Sequence, residues 1–158
     1  MQSKSVALKK LSLKNPGWLV IAVLVLSGCG VDPDSPLAQR KAIFKQMLKT
    51  SEDTGGMLRG RLPFDAQKFA EGSLKLDALS HQPWKHFPEV RESEKTSAKQ
   101  AVWDKQARFE QLARALETRT GELVVATRNP PLTPAGMIPY MNNVEDACDA
   151  CHKEFRDH

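Results

Sequence analysis

Apolar residues along most of this chain recur every three or four positions with polar residues between them, the mark of amphipathic helices sharing a core. Ile43, Phe44, Met47, Leu48, Met57 and Leu58 form a first stripe over about Leu37 to Arg59, interrupted by a polar patch at Thr50 to Thr54. Gly60 and Pro63 end it. Asp65 is the predicted N-cap of a second helix, which carries Phe69, Leu74, Leu76 and Leu79 as far as Ser80. A long connection follows, His81 to Lys95, with Pro83, Pro88 and a charged middle. The spacing of Val102, Trp103, Phe109, Leu112, Leu116, Leu123 and Val124 predicts a third helix over about Ser97 to Thr127. Gly121 is a point where it would fray or kink, and Asn129-Pro130-Pro131 stops it. The last helix starts near Pro134 to Pro139 and presents Met137, Met141, Val144, Cys148, Cys151 and Phe155 on one side. No stretch alternates as a strand would. The expected fold is all-α, an antiparallel up-down-up-down four-helix bundle over residues 37–158.

The first residues follow another logic. Lys4, Lys9, Lys10 and Lys14 precede an apolar run, Trp18 to Leu26, which is far shorter than the roughly 20 residues that span a bilayer. The run stops at Leu26-Ser27-Gly28-Cys29, which resembles a bacterial lipobox. The resemblance implies that residues 1–28 are a lipoprotein signal peptide, removed so that Cys29 takes a diacylglycerol, with residues 29–36 as a tether. An ordinary secretory signal with an incidental cysteine is the other reading. Gly30 after the cysteine favours the outer membrane, by analogy with sorting rules. The expected location is thus the periplasmic side, anchored to the membrane by lipid. Without the four signal lysines, 19 basic residues face 19 acidic ones, so the pI near 9.0 argues for no nucleic-acid partner.

Chemistry concentrates near the end of the chain. Cys148-Asp149-Ala150-Cys151-His152 is Cys-x-x-Cys-His, the attachment signal of c-type haem. On a helix the two thiols lie three apart on one face, and His152 falls four from Cys148 on that same face. Two thioethers can thus hold one porphyrin edge while the imidazole ligates the iron. A redox dithiol would be expected near a βαβ pattern, and none is present. A zinc site needs four ligands, and His81, His86 and His158 form no second pair at finger-like spacing. One covalent haem c is therefore the expected cofactor. The cysteine count agrees, with Cys29 lipidated and the other two on the haem.

The chain resembles class II cytochromes c, the cytochrome c′ group, over nearly all of Leu37 to Arg156. The segments that carry the likeness are Arg40 in the first helix, Gly60-Arg61-Leu62-Pro63-Phe64-Asp65, Leu79 to Phe87, Ala98-Lys99-Gln100-Ala101-Val102-Trp103, and Cys148 to Arg156. The resemblance implies that Arg40 lies near a haem propionate, that Phe44 stands over the distal face, and that Arg156 lies at the proximal pocket. Low-spin relatives carry Met at the distal position. A phenyl ring has no lone pair to offer, so His152 is expected to be the only protein axial ligand. The alternative is a low-spin electron-transfer cytochrome with Met47 or Met57 on the iron; the plain reading of Met47, Leu48, Met57, Met137 and Met141 is core.

An apolar distal side offers bound O₂ no hydrogen-bond donor, which favours NO and suits the NO binding and electron transfer that the resemblance implies. No Ser/His/Asp set and no paired carboxylates point to an enzyme. Trp84 and Trp103 read as anchors that close the bundle, and Lys153 and Glu154 as solvated. Relatives of this kind dimerise through the outer faces of helices one and two; here those faces carry Lys41, Lys45, Lys49, Gln67, Lys68, Glu71 and Lys75, which leaves a homodimer open. The periplasmic redox partner is not legible in the chain.

Overall fold

In the computed structural model, residues 32–88 and 95–157 are described; the expected signal peptide, Cys29 and His158 lie outside them. Ser35 caps the first helix, α1 (Pro36–Leu58), by accepting from the Ala38 N–H at 3.2 Å, and Pro36 sits at its first turn, where its missing donor costs nothing. Gly60, in the left-handed region at φ 71°, turns the chain out of this helix. Asp65 caps α2 (Ala66–Ser80) through the Lys68 N–H at 3.0 Å, as its position predicted. A 3₁₀ turn at Trp84–His86 leads to a four-residue helix, α3 (Ala101–Asp104), then α4 (Gln106–Ala126). Thr133 caps α5 (Pro134–Phe155), which carries Cys148, Cys151 and His152.

The four long helices form the expected antiparallel bundle: α1 packs on α2 and α5, and α4 packs on α2 and α5. Phe69 and Leu123, fully buried, and Met141, with 1 % of its surface exposed, lie in its main core. α1 and α2 come very close, for a methyl group at Gly72 would meet Thr54 Cγ2 at 2.5 Å. Among the described residues no helix is long and apolar enough to cross a membrane.

Three details depart from the pattern along the chain. The polar patch at Thr50 to Thr54 does not interrupt α1; Thr50 and Thr54 are buried within it. Their burial is tolerable because the Thr54 hydroxyl donates to the Thr50 carbonyl at 2.9 Å. Leu48 and Leu74, counted among the inward positions, are exposed. The inward line of α2 runs through Phe69, Ser73, Leu76 and Ser80, whose hydroxyls donate to carbonyls one turn back, and this turns Leu74 outward. The third helix begins four residues later than expected and breaks at Lys105. The residues before it are held extended instead: Lys99 N–H donates to the Phe155 carbonyl at 2.9 Å and Asp157 N–H to Ser97 at 2.8 Å, around a bridge between Ala98 and Arg156. Gly121 produces no break in α4.

Candidate functional site

At one end the helices part around a cavity of about 550 Å³. This is where α1 and α4 begin and α2 and α5 end, so four helix termini and the Trp84 turn contribute to its wall. Cys148, Cys151 and His152 line it from α5, Arg40, Phe44 and Met47 from α1, and Leu76, Phe109 and Leu116 from α2 and α4. The i, i+3, i+4 spacing of the attachment motif thus brings two thiols and an imidazole to one wall.

Both cysteines are free and half-buried. Burial, reinforced by Cys151, Asp149 and Glu145, pushes the Cys148 thiol up to about 11. Burial, and then Glu154, pushes Cys151 up to about 11. Burial thus favours the S–H form over the thiolate at both sulfurs before any haem is attached. Among the described residues no group of three or more His, Cys, Asp or Glu side chains is placed to hold a metal ion.

Arg40 is an unusual core residue, with only 2 % of its surface exposed. Its guanidinium donates to the His86 carbonyl at 3.0 Å and to Thr96 Oγ1 at 3.4 Å, and lies 4.7 Å above the Phe87 ring. A buried cation needs such partners. It therefore fastens the turn after α2 onto α1 while reaching the cavity. One helical turn on, Phe44 is half-buried, edge-on to Trp84 at 6.1 Å and to Phe87 at 6.5 Å. Met47 also lines the cavity, whereas Met57 does not and is packed in the main core. Arg156 is exposed at the C-cap of α5 and borders the cavity beside the paired segment 97–99.

The structure also shows site residues that pattern reading passed over. Phe44, Trp84, Phe87, Phe109 and Phe155 form a continuous shell of rings, with Phe87 and Phe109 only 4.9 Å apart and Phe109 and Phe155 5.3 Å apart. Trp84 and Trp103 do act as anchors: Trp103 Nε1 donates to the Pro88 carbonyl at 2.9 Å, and Trp84 packs against Phe44 and Phe109. Among the described residues the buried indole N–H of Trp84 has no acceptor. Glu154, read as solvated, instead meets Arg108 at 2.6 Å and ties α5 to α4. The signal for the shell was the density of aromatics between positions 84 and 109, which periodicity within single helices cannot reveal.

This wall chemistry fits a haem: two thiols and an imidazole on one side, flat apolar surfaces for a porphyrin, and a buried cation for its carboxylates. The comparisons agree. The Cytochrome C′ family model matches residues 35–156. A cytochrome c′ from Rhodopseudomonas palustris is 32 % identical over 146 residues, covering 86 % of this chain and 92 % of the relative. Among solved structures, cytochrome c prime from Shewanella frigidimarina superposes with a TM-score of 0.74 at 25 % identity, covering 82 % of this chain and 99 % of its own. The nitric oxide complex of a variant of cytochrome c prime from Alcaligenes xylosoxidans gives 0.70 at 22 % identity, covering 82 % and 98 %. Proteins of this family bind one covalent c-type haem, the cofactor that Cys148, Cys151 and His152 announced. The chain belongs to the cytochrome c′ family.

Proposed function

We propose that this protein binds NO at a five-coordinate haem on the periplasmic side of a membrane, held there by lipid on Cys29. The observation that supports the reading is Phe44 in the wall of the cavity that also holds His152. The haem supplies an iron centre that exchanges electrons and takes diatomic ligands. The residues decide which. His152 offers an imidazole nitrogen, and Cys148 and Cys151 fix the porphyrin edge by thioethers. Phe44 offers neither a lone pair nor a hydrogen-bond donor, so as the residue facing a bound haem it would supply no second ligand and would give bound O₂ no partner. Its packing against Trp84 and Phe87 keeps the ring in place in the cavity wall. Arg156, at the cavity rim, is a cation within reach of the His152 side. Variants of the Alcaligenes xylosoxidans protein, one solved with NO and another with carbon monoxide, support the gas-binding part of the reading.

The optical spectrum of the purified ferric protein tests this. A high-spin spectrum without a thioether charge-transfer band is expected, and Phe44→Met should create that band and slow NO binding. Met47 favours a second reading, a low-spin electron carrier, because its side chain borders the same cavity. A low-spin wild-type spectrum that turns high-spin in Met47→Leu would establish that reading and end the first. Anchoring is tested separately: intact mass should show a diacylglycerol increment on Cys29 that Cys29→Ser loses.

A further inference from the structure

Charge is spread unevenly along α1. From Ser35 to Ser51 the chain has four basic residues and no acidic one. Arg40 is turned into the core, whereas Lys41, Lys45 and Lys49 recur every fourth position, are exposed, and form one stripe along the outside of the helix. Lys41 Nζ donates to the Lys95 carbonyl at 3.4 Å, which sets a fourth exposed lysine beside the stripe. Leu48, between Lys45 and Lys49 in the chain, has 60 % of its surface exposed. Among the described residues the carboxylate bonded to the stripe is that of Asp53, in an exposed pair with Lys49 that is worth little in water.

The start of the same helix says what this stripe meets. Asp32 to Ser35 fold back as a turn: Ser35 N–H donates to the Asp32 carbonyl at 3.0 Å, and Asp34 N–H to Asp32 Oδ1 at 2.9 Å. The Gln39 side chain then donates to the Asp34 carbonyl at 2.8 Å and pins the turn to α1. Asp32 is only three residues from Cys29, a reach of about 11 Å at full extension. A lipid on Cys29 therefore holds the beginning of α1 at the membrane surface, with Lys41 on the second turn and Lys45 and Lys49 next in line. Two acyl chains already keep the protein there. What the lysines add is orientation, since each one near an anionic surface contributes about a fivefold preference.

We propose that this face of α1 docks on anionic phospholipid headgroups through Lys41, Lys45, Lys49 and Lys95, with Leu48 at the headgroup boundary. The inference rests on the lipid anchor at Cys29. Lys41, Lys45 and Leu48 also border the haem cavity, so the docked molecule turns that flank of the cavity to the bilayer. Apolar diatomic gases dissolve more readily in hydrocarbon than in water, and a cavity held this way draws its ligand from the membrane.

The test is trace acetylation of the lipidated, haem-loaded protein, with each lysine read by mass spectrometry. It is run on vesicles of phosphatidylcholine alone and of phosphatidylcholine with phosphatidylglycerol. On the anionic vesicles Lys41, Lys45, Lys49 and Lys95 should react several-fold more slowly than on the neutral ones. High salt, at which the screening length falls to about 3 Å, should restore their reactivity. Lys68, exposed at the start of α2 and at the other end of the bundle, should react alike on both. In Lys41→Gln/Lys45→Gln/Lys49→Gln the protection of Lys95 should be lost. Equal reactivity of the four lysines on the two vesicles would overturn the proposal, as would protection of Lys95 that survives the triple variant. Protection already complete in detergent micelles, at twice the monomer mass by light scattering, would overturn it in favour of a second copy of this chain on the same face. Intact mass separates this from the anchor: a chain without the diacylglycerol increment fails the anchor alone. The face is then judged by whether that chain sediments with the anionic vesicles and not the neutral ones, and sedimentation with neither overturns it.

Discussion

The two ends of this bundle solve opposite problems. Where α1 and α4 end and α2 and α5 begin, aliphatic and thioether side chains fill all the space between the helices: Met57, Leu58, Leu123 and Met137 are all buried. At the other end the helices bring rings, a buried arginine and two thiols to a space they leave unfilled. The first end is specified by apolar spacing alone and holds itself together. The second is specified by chemistry, through an attachment motif and a ring-lined space that suit a covalent haem. Stability and function are thus divided along one set of helices.

The sharpest way to break that division is to remove the tether. Cys148→Ser with Cys151→Ser should abolish the covalent haem increment in intact mass. It should also lower the thermal midpoint by the largest amount of any change considered, since an apolar cavity is left for water. A double variant that melts like wild type would mean that the site end needs no haem to hold its shape. Next, Phe69→Ala removes a fully buried ring of the main core and should cost about 3–5 kcal/mol in urea unfolding, leaving the haem spectrum unchanged. Phe44→Ala is the mirror image: NO binding should speed up, with a smaller stability loss than Phe69→Ala because the ring is only half-buried. Equal losses at the two positions would erase the distinction between the ends.

Smaller effects sharpen the picture. Thr133→Ala removes the cap of α5 far from the cavity and should cost about 1 kcal/mol with no spectral change. The hydrogen bonds from Arg108, against an opposing effect of burial and helped by the charges of Arg108 and Lys105, hold the Glu154 carboxyl below the usual carboxylate range. Its folded pKa is thus below its unfolded one, so the pair adds stability above the unfolded value and loses it as pH falls through the folded value. Glu154→Gln should flatten the acid side of the stability curve slightly, and added salt should shrink the difference in the wild type, because both partners are largely exposed.

Much of this was legible along the chain, for definite reasons. Caps at Asp65 and inward positions such as Phe69, Met141 and Val144 follow from local rules, and local rules hold where packing repeats helix by helix. The attachment motif was legible because its spacing is its chemistry. The start of the third helix was not, because residues 97–99 are claimed by backbone bonds to a segment more than fifty positions away. The aromatic shell was hidden for the same reason, since five rings from α1, the Trp84 turn, α4 and α5 meet only in three dimensions. Thr50 and Thr54 misled because polar residues that bond back to their own helix can be core.

The pairing of residues 97–99 with 155–157 separates tethering from closure by a very small step. A protease that clipped the chain just after His152 would leave every atom of the attachment motif in place, yet it would release the latch that keeps the extended segment before α3 in the cavity wall. Such a clipped molecule would keep its colour and lose its door.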